Sequence, residues 1–223
     1  MTLPSIEISL CENLDHILLG CPDLNHGIAY LETLSGYSAA IGGSHPGRGT
    51  CNALLKMGAH SYLEILAPDP QQKELAWYKD IATLSEPLLV GYAIRQDDLE
   101  THAAAFRARG ISCIGPTAGF RARPDGSLLR WQTLSYQDDR NGLLPFFIDW
   151  DPRSPHPSFD APGELTLLSF NRTGQLLEET TPPSGKHKLF HPEQPVQLRA
   201  LLKGAHGEFE LVSKSSPSET WSS

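Results

Sequence analysis

One order of elements occurs twice in this chain of 223 residues, and the repetition constrains its fold more than any other feature. The first pass opens with the apolar run 14–20, followed by Cys21-Pro22-Asp23, the pattern of a strand ending in a turn. Asp23 can cap a helix, and Leu24, Ile28, Leu31 and Leu34 recur at helical spacing until Gly36 stops the pattern. A strand over 37–41, a glycine-rich loop over 42–49 and strands over 50–57 and 61–66 follow, closed by Asp69-Pro70. The second pass has a strand over 88–95 and a cap at Asp97 or Asp98. Its helix carries Leu99, Ala103 and Phe106 and stops at Gly110. A short strand over 111–114 and strands over 128–136 and 143–150 complete it, and Asp151-Pro152 closes it as Asp69-Pro70 closed the first.

The duplicated order predicts an α+β protein built from paired βαβββ modules, 12–70 and 86–151, forming one domain over 12–151. The stretch 152–163, rich in Pro, Ser and His, reads as a linker. Residues 164–213 read as a β-rich C-terminal partial module, an extension able to dock on the rest as a lid, and 214–223 as a disordered Ser-rich tail.

Composition excludes several classes. A net charge of -8 disfavours nucleic acid and anionic membrane surfaces, which both need a basic patch. No run approaches the ~18 apolar residues of a membrane span, and the first residues lack the basic and apolar regions of a signal peptide. The four cysteines form no CxxC pair. A cytoplasmic protein, monomer or homodimer, binding a small molecule is the expectation. No GxSxG elbow, phosphate-cradling GxxxxGK[ST] loop or dinucleotide fingerprint occurs.

His16 and Glu64 stand out among the polar residues. A charged Glu inside Tyr62-Leu63-Glu64-Ile65-Leu66 is costly to bury unless it is paired or coordinated. Strand alternation sets Leu14, His16 and Leu18 on one face, and Tyr62, Glu64 and Leu66 on one face. A buried His–Glu hydrogen-bonded pair and a pair of metal ligands both satisfy this pattern. Further along, His45-Pro46-Gly47-Arg48-Gly49 either shapes a turn or places an imidazole and a guanidinium at a pocket, where Arg48 can clamp a carboxylate or phosphate. Asn52 can bind substrate or satisfy a loop carbonyl. Trp131 can stack on a flat substrate or fill the core. Arg121 and Arg123 suit the rim of an anion site or plain surface.

Asp15-His16, the stretch from His45 to Leu54 with its His-Pro-Gly-x-Gly-Thr-x-Asn core, and Tyr62 to Asp69 together resemble the glyoxalase-like domain family of the vicinal oxygen chelate superfamily. Arg123-Pro124-Asp125-Gly126 and Leu144-Pro145-Phe146-Phe147-Ile148 add to the likeness. The resemblance implies two curved sheets forming a half-open cup. In that cup a divalent metal (zinc, iron, manganese or nickel) chelates two substrate oxygens for isomerase, lyase or dioxygenase chemistry. It implies His16 and Glu64 as first-module ligands, with Glu64 also catalytic.

The second module departs from this pattern. Gly91 aligns with His16 and Pro145 to Ile148 align with Glu64, so no side-chain ligand stands at either place, while Asp149 is one register step away. His45 is then the candidate third ligand and a catalytic group, completing two imidazoles and a carboxylate. Arg48, Asn52, Trp131 and Arg123 are the substrate-binding candidates. The alternative is a metal-free small-molecule binding or sequestering protein on the same fold.

Overall fold

The computed structural model describes residues 13–76, 78–123, 125–139, 142–173 and 197–215. The polar stretch 174–195 and the tail residues 216–223 lie outside the described residues. The first module is β1 (Leu14–Gly20), α1 (Leu24–Ser35), β2 (Ala40–His45), β3 (Thr50–Lys56) and β4 (Tyr62–Pro68). The second is β5 (Leu88–Arg95), α2 (Leu99–Ala108), β6 (Cys113–Ala122), β7 (Leu128–Tyr136) and β8 (Phe146–Trp150). Their strands form one mixed sheet in the order β2-β3-β4-β1-β5-β8-β7-β6. The order is symmetric: β1 pairs parallel with β4, β5 pairs parallel with β8, and β1 and β5 meet antiparallel at the centre. This is the paired-module α+β fold that the duplication predicts.

Period-two alternation sorts the strands into two faces. Ile17, Leu19, Ala53, Leu55, Leu63 and Ile65 pack outward in one core with Leu31 of α1. Their neighbours His16, Asn52 and Glu64 line the concave side. Asp23 caps α1 by accepting from the His26 amide at 2.9 Å, and Gly36, at φ 77°, ends it. On the other half, Leu99, Ala103 and Phe106 of α2 pack on Leu134 and Phe147. No helix among the described residues is long and apolar enough to cross a membrane.

Leu14 does not share a face with His16 and Leu18, as plain alternation predicts. Pairing with β5 slips between Leu14/Ile94 and His16/Ala93, leaving Asp15 as the extra residue of a bulge. Leu14 therefore joins the outer core, while His16 faces inward.

Two strands differ from expectation. β2 runs through Gly42 to His45, the first part of the predicted loop. Its glycines serve close approach, since a Cβ on Gly42 would lie 2.3 Å from Asn52 Oδ1 and one on Gly43 2.7 Å from the Ala122 carbonyl. β6 extends from Cys113 to Ala122 instead of stopping near 114. Its Gly115, Pro116 and Gly119 read as breakers in sequence, but an edge strand tolerates a residue with no N–H to donate. The edge strands β2 and β6 come together, and Arg121 Nη1 donates to the Gly42 carbonyl across the gap. The sheet thus curls into a cup.

Residues 152–163 are pinned rather than slack. Pro157–Phe159 forms a 3-10 turn, Ser158 Oγ donates to the Ala59 carbonyl at 3.0 Å, and the Lys56 amide donates to the Pro162 carbonyl at 2.8 Å. The C-terminal extension is a three-stranded sheet, β11-β10-β9, from β9 (Thr166–Thr173), β10 (Gln197–Gly204) and β11 (Gly207–Val212). Phe170, Leu198, Leu202 and Phe209 join the core that holds Leu31 of α1, so the extension covers the convex face, not the mouth of the cup.

Candidate active site

The cup encloses about 490 Å³ of empty space, part of it open to solvent. At its floor lies His16, 2% exposed, held between two carboxylates. Its Nδ1 is 2.7 Å from Asp15 Oδ1, and its Nε2 is 3.3 Å from Glu64 Oε2. The ring also stacks on Tyr62 with centroids 4.6 Å apart, because His16 and Tyr62 are register partners across β1 and β4.

Asp15 is completely buried. Its Oδ2 accepts from Arg95 Nε at 3.2 Å, Trp150 Nε1 at 3.0 Å and His156 Nε2 at 3.1 Å. Burial by itself would raise its pKa; the hydrogen bonds from His156 and His16 outweigh burial and hold the carboxyl well below its ordinary value. An ionised carboxylate only accepts, so His16 carries its proton on Nδ1 toward Asp15. That turns Nε2 to Glu64 and the cup.

Glu64 is fixed at its other oxygen, where Oε1 accepts from Asn52 Nδ2 at 2.8 Å. The same amide nitrogen lies 3.2 Å from His45 Nε2, and His45 Nδ1 lies 2.9 Å from Thr50 Oγ1. With Nε2 accepting from Asn52, His45 is the neutral Nδ1–H tautomer. Burial, offset by Glu64 and reinforced by Arg121 and Arg48, pulls its pKa down to about 4.

The structure brings His16, His45, Glu64, Arg48, Asn52 and Trp131 to one cavity. Arg48 lies 6.0 Å over the Trp131 ring. Arg123 is placed elsewhere: its guanidinium is taken by Asp160 and, at 2.6 Å, by the Pro155 carbonyl, so it ties the 152–163 stretch to the second module. Arg121, two residues back, is the one that enters the cup.

Sequence reasoning assigned no role to Asp15, although a carboxylate in an apolar strand is the same signal that marked Glu64. His156 carried no signal, because 141 residues separate it from Asp15. Arg121, open in sequence between the rim and plain surface, is carried into the cup by the length of β6.

The donor set does not fit the metal centre that the resemblance implies. Opposite His16 stands Ala93, and Gly91 pairs with Leu18. From β8 the cup receives Phe146, Ile148 and Trp150, none of them ligands, while alternation turns Asp149 away. In the first module, one amide nitrogen of Asn52 occupies lone pairs of both Glu64 and His45. Among the described residues, no group of three or more His, Cys, Asp or Glu is arranged to hold a metal ion.

A curled eight-stranded sheet of two βαβββ halves around one polar cup defines the glyoxalase-like class of α+β proteins. The profile of the glyoxalase-like domain matches residues 14–189, and the chain belongs to that family, within the vicinal oxygen chelate superfamily. No curated protein matches it. Among solved structures, it is similar in fold to a hypothetical protein from Staphylococcus aureus. The two share 13% identity at a TM-score of 0.53, over 92% of this chain and 88% of that one. Methylmalonyl-CoA epimerase from Mycobacterium tuberculosis aligns at 22% identity and a TM-score of 0.45, over 69% of this chain and 95% of that one.

Proposed function

We propose that the chain is a cytoplasmic enzyme of isomerase or lyase type that moves a proton on a small oxygen-bearing metabolite, with Glu64 and His16 as its acid–base pair. The observation that carries this reading is the line Asp15–His16–Glu64, at 2.7 Å and 3.3 Å, on the floor of a cup lined by polar and aromatic side chains. Glu64 accepts a proton from a carbon beside a carbonyl, and the freed electron pair passes to the carbonyl oxygen. That proton passes from Glu64 Oε2 to His16 Nε2, bare in the resting tautomer and 3.3 Å away, and on to the oxygen, with Asp15 holding the ring and balancing its transient charge. Return of a proton to carbon completes an isomerisation. Asn52 keeps Glu64 oriented, and the aromatic walls limit water. The free cysteines Cys21, Cys51 and Cys113 suit a reducing compartment.

Exchange of carbon-bound hydrogen in D2O, followed by proton NMR over a panel of small carbonyl compounds, tests this directly. Catalysed exchange that falls about 100-fold or more in Glu64→Gln and His16→Gln, at unchanged folding and with or without chelator, is the expected result. Equal exchange in wild type and both variants contradicts it. The enclosed aromatic lining favours a second reading, a binding or sequestering protein. That reading takes over if ligands stabilise the chain while no compound in the panel exchanges.

A further inference from the structure

We infer that the cup is built for a singly charged carboxylate on a flat body, with Arg121 as the group that grips the anion. This deepens the proposed function by naming the substrate class, and it rests on that reading only for the reaction, not for the binding.

Arg121 is 5% exposed, lines the cavity and donates to one backbone carbonyl, that of Gly42. No carboxylate of a described residue is within ion-pairing distance of it. A guanidinium kept in so enclosed a place without an acidic partner is costly, and an anion arriving in the cavity relieves that cost. Burial lowers its pKa, and Tyr62 and Glu64 act against that fall, so its charge is felt across the cup at the acid–base floor.

The charge count sets the class. Arg48 and Arg121 face Glu64, His45 is neutral at pH 7, and the Asp15 charge is spent on His16, Arg95 and His156. The formal charges on the lining then sum to a single positive one, which suits a monoanion better than a phosphate dianion. The fork of an arginine matches the two oxygens of a carboxylate. The body of the ligand meets Trp131, Trp150, Phe146 and Tyr62, side chains that favour a planar, conjugated molecule. Gly42 and Gly43 carry no side chain where Arg121 crosses β2, so the guanidinium and the Asn52 amide share that corner.

Calorimetric titration of the full chain with trans-cinnamate, its neutral amide and phenyl phosphate tests the inference. Cinnamate should bind roughly 10- to 100-fold tighter than the amide, the weight of one charged hydrogen-bonded contact, and Arg121→Gln should erase the difference. Arg121→Lys should restore part of it, by charge without the fork. Equal binding of acid and amide to the wild type overturns the inference without need of any variant. So do cinnamate binding unchanged in a folded Arg121→Gln, stronger binding of phenyl phosphate, or no binding of cinnamate at 10 mM, about the limit of a useful site. Glu64→Gln separates the two claims: it should abolish hydrogen exchange, while cinnamate binds at least as tightly because a negative charge has left the cup. Cinnamate binding without any catalysed exchange sinks the acid–base reading alone.

Discussion

Asp15 lies in a bulge and takes hydrogen bonds from His16, Arg95, Trp150 and His156, so its charge is bound into the fold on every side. Asp15→Asn leaves Arg95 and His156 without their anion and should cost about 3–5 kcal/mol, read from urea unfolding at pH 7. Because its folded pKa is depressed, its stabilisation is complete above the unfolded value of 3.8 and is lost as pH falls below that toward the folded value. His45 acts in a different window. Its pKa falls from 6.5 to about 4 on folding, so between those values the unfolded chain binds the extra proton and stability drops as pH falls. His45→Gln should flatten the stability profile between pH 6.5 and about 4, by on the order of 3 kcal/mol at the acid end. A profile unchanged by the substitution would contradict the burial of a neutral imidazole. Glu64 and His16 were legible from sequence because a charge amid apolar residues has few satisfied forms. The Asn52 bridge was not, since an amide on a strand has too many partners to choose from.

The elements were legible where their hydrophobic period is clean, as in β1, α1, β3 and β4, and blurred where glycine and proline carry tertiary roles. β6 shows why. Its breakers are edge-strand features, and losing the strand hid the inward turn of Arg121. Gly119 shows the same logic in side-chain space. A Cβ there would lie 2.4 Å from the Trp131 indole Nε1, so Gly119→Ala must drive the ring aside. The expected outcome is a loss of about 1–3 kcal/mol from overpacking, a shifted tryptophan emission and weaker cinnamate binding. Normal emission and binding in the variant would mean that the ring does not stand against β6.

Across the whole molecule the two modules share one sheet, and the extension shares a core with the first of them. The duplication made the sheet order readable. The place of the extension was not, because its strands carry no pattern that names the face they cover. A fragment ending at Gly163 keeps His156 but loses Leu165, Phe170, Leu198, Leu202, Phe209 and Leu211 from the core. At about 1.5–3 kcal/mol for each large side chain, that loss is comparable to the ~5–15 kcal/mol that stabilises a typical domain. The fragment should therefore aggregate or melt without cooperativity in calorimetry, whereas the full chain melts in one transition. A fragment that melts sharply would show the extension to be an independent unit.

The cup, the acid–base pair and the orienting carboxylate depend on one arrangement: a His16 ring whose Nδ1 is given to Asp15 and whose Nε2 faces Glu64. Long-range proton–nitrogen NMR on protein labelled in histidine nitrogen reads that arrangement at the atom. Wild-type His16 should show a protonated Nδ1 that is lost or shifted in Asp15→Asn, and an Nε2 signal that moves in Glu64→Gln. A His16 whose Nδ1 is bare, or whose two nitrogens ignore both substitutions, would contradict the account.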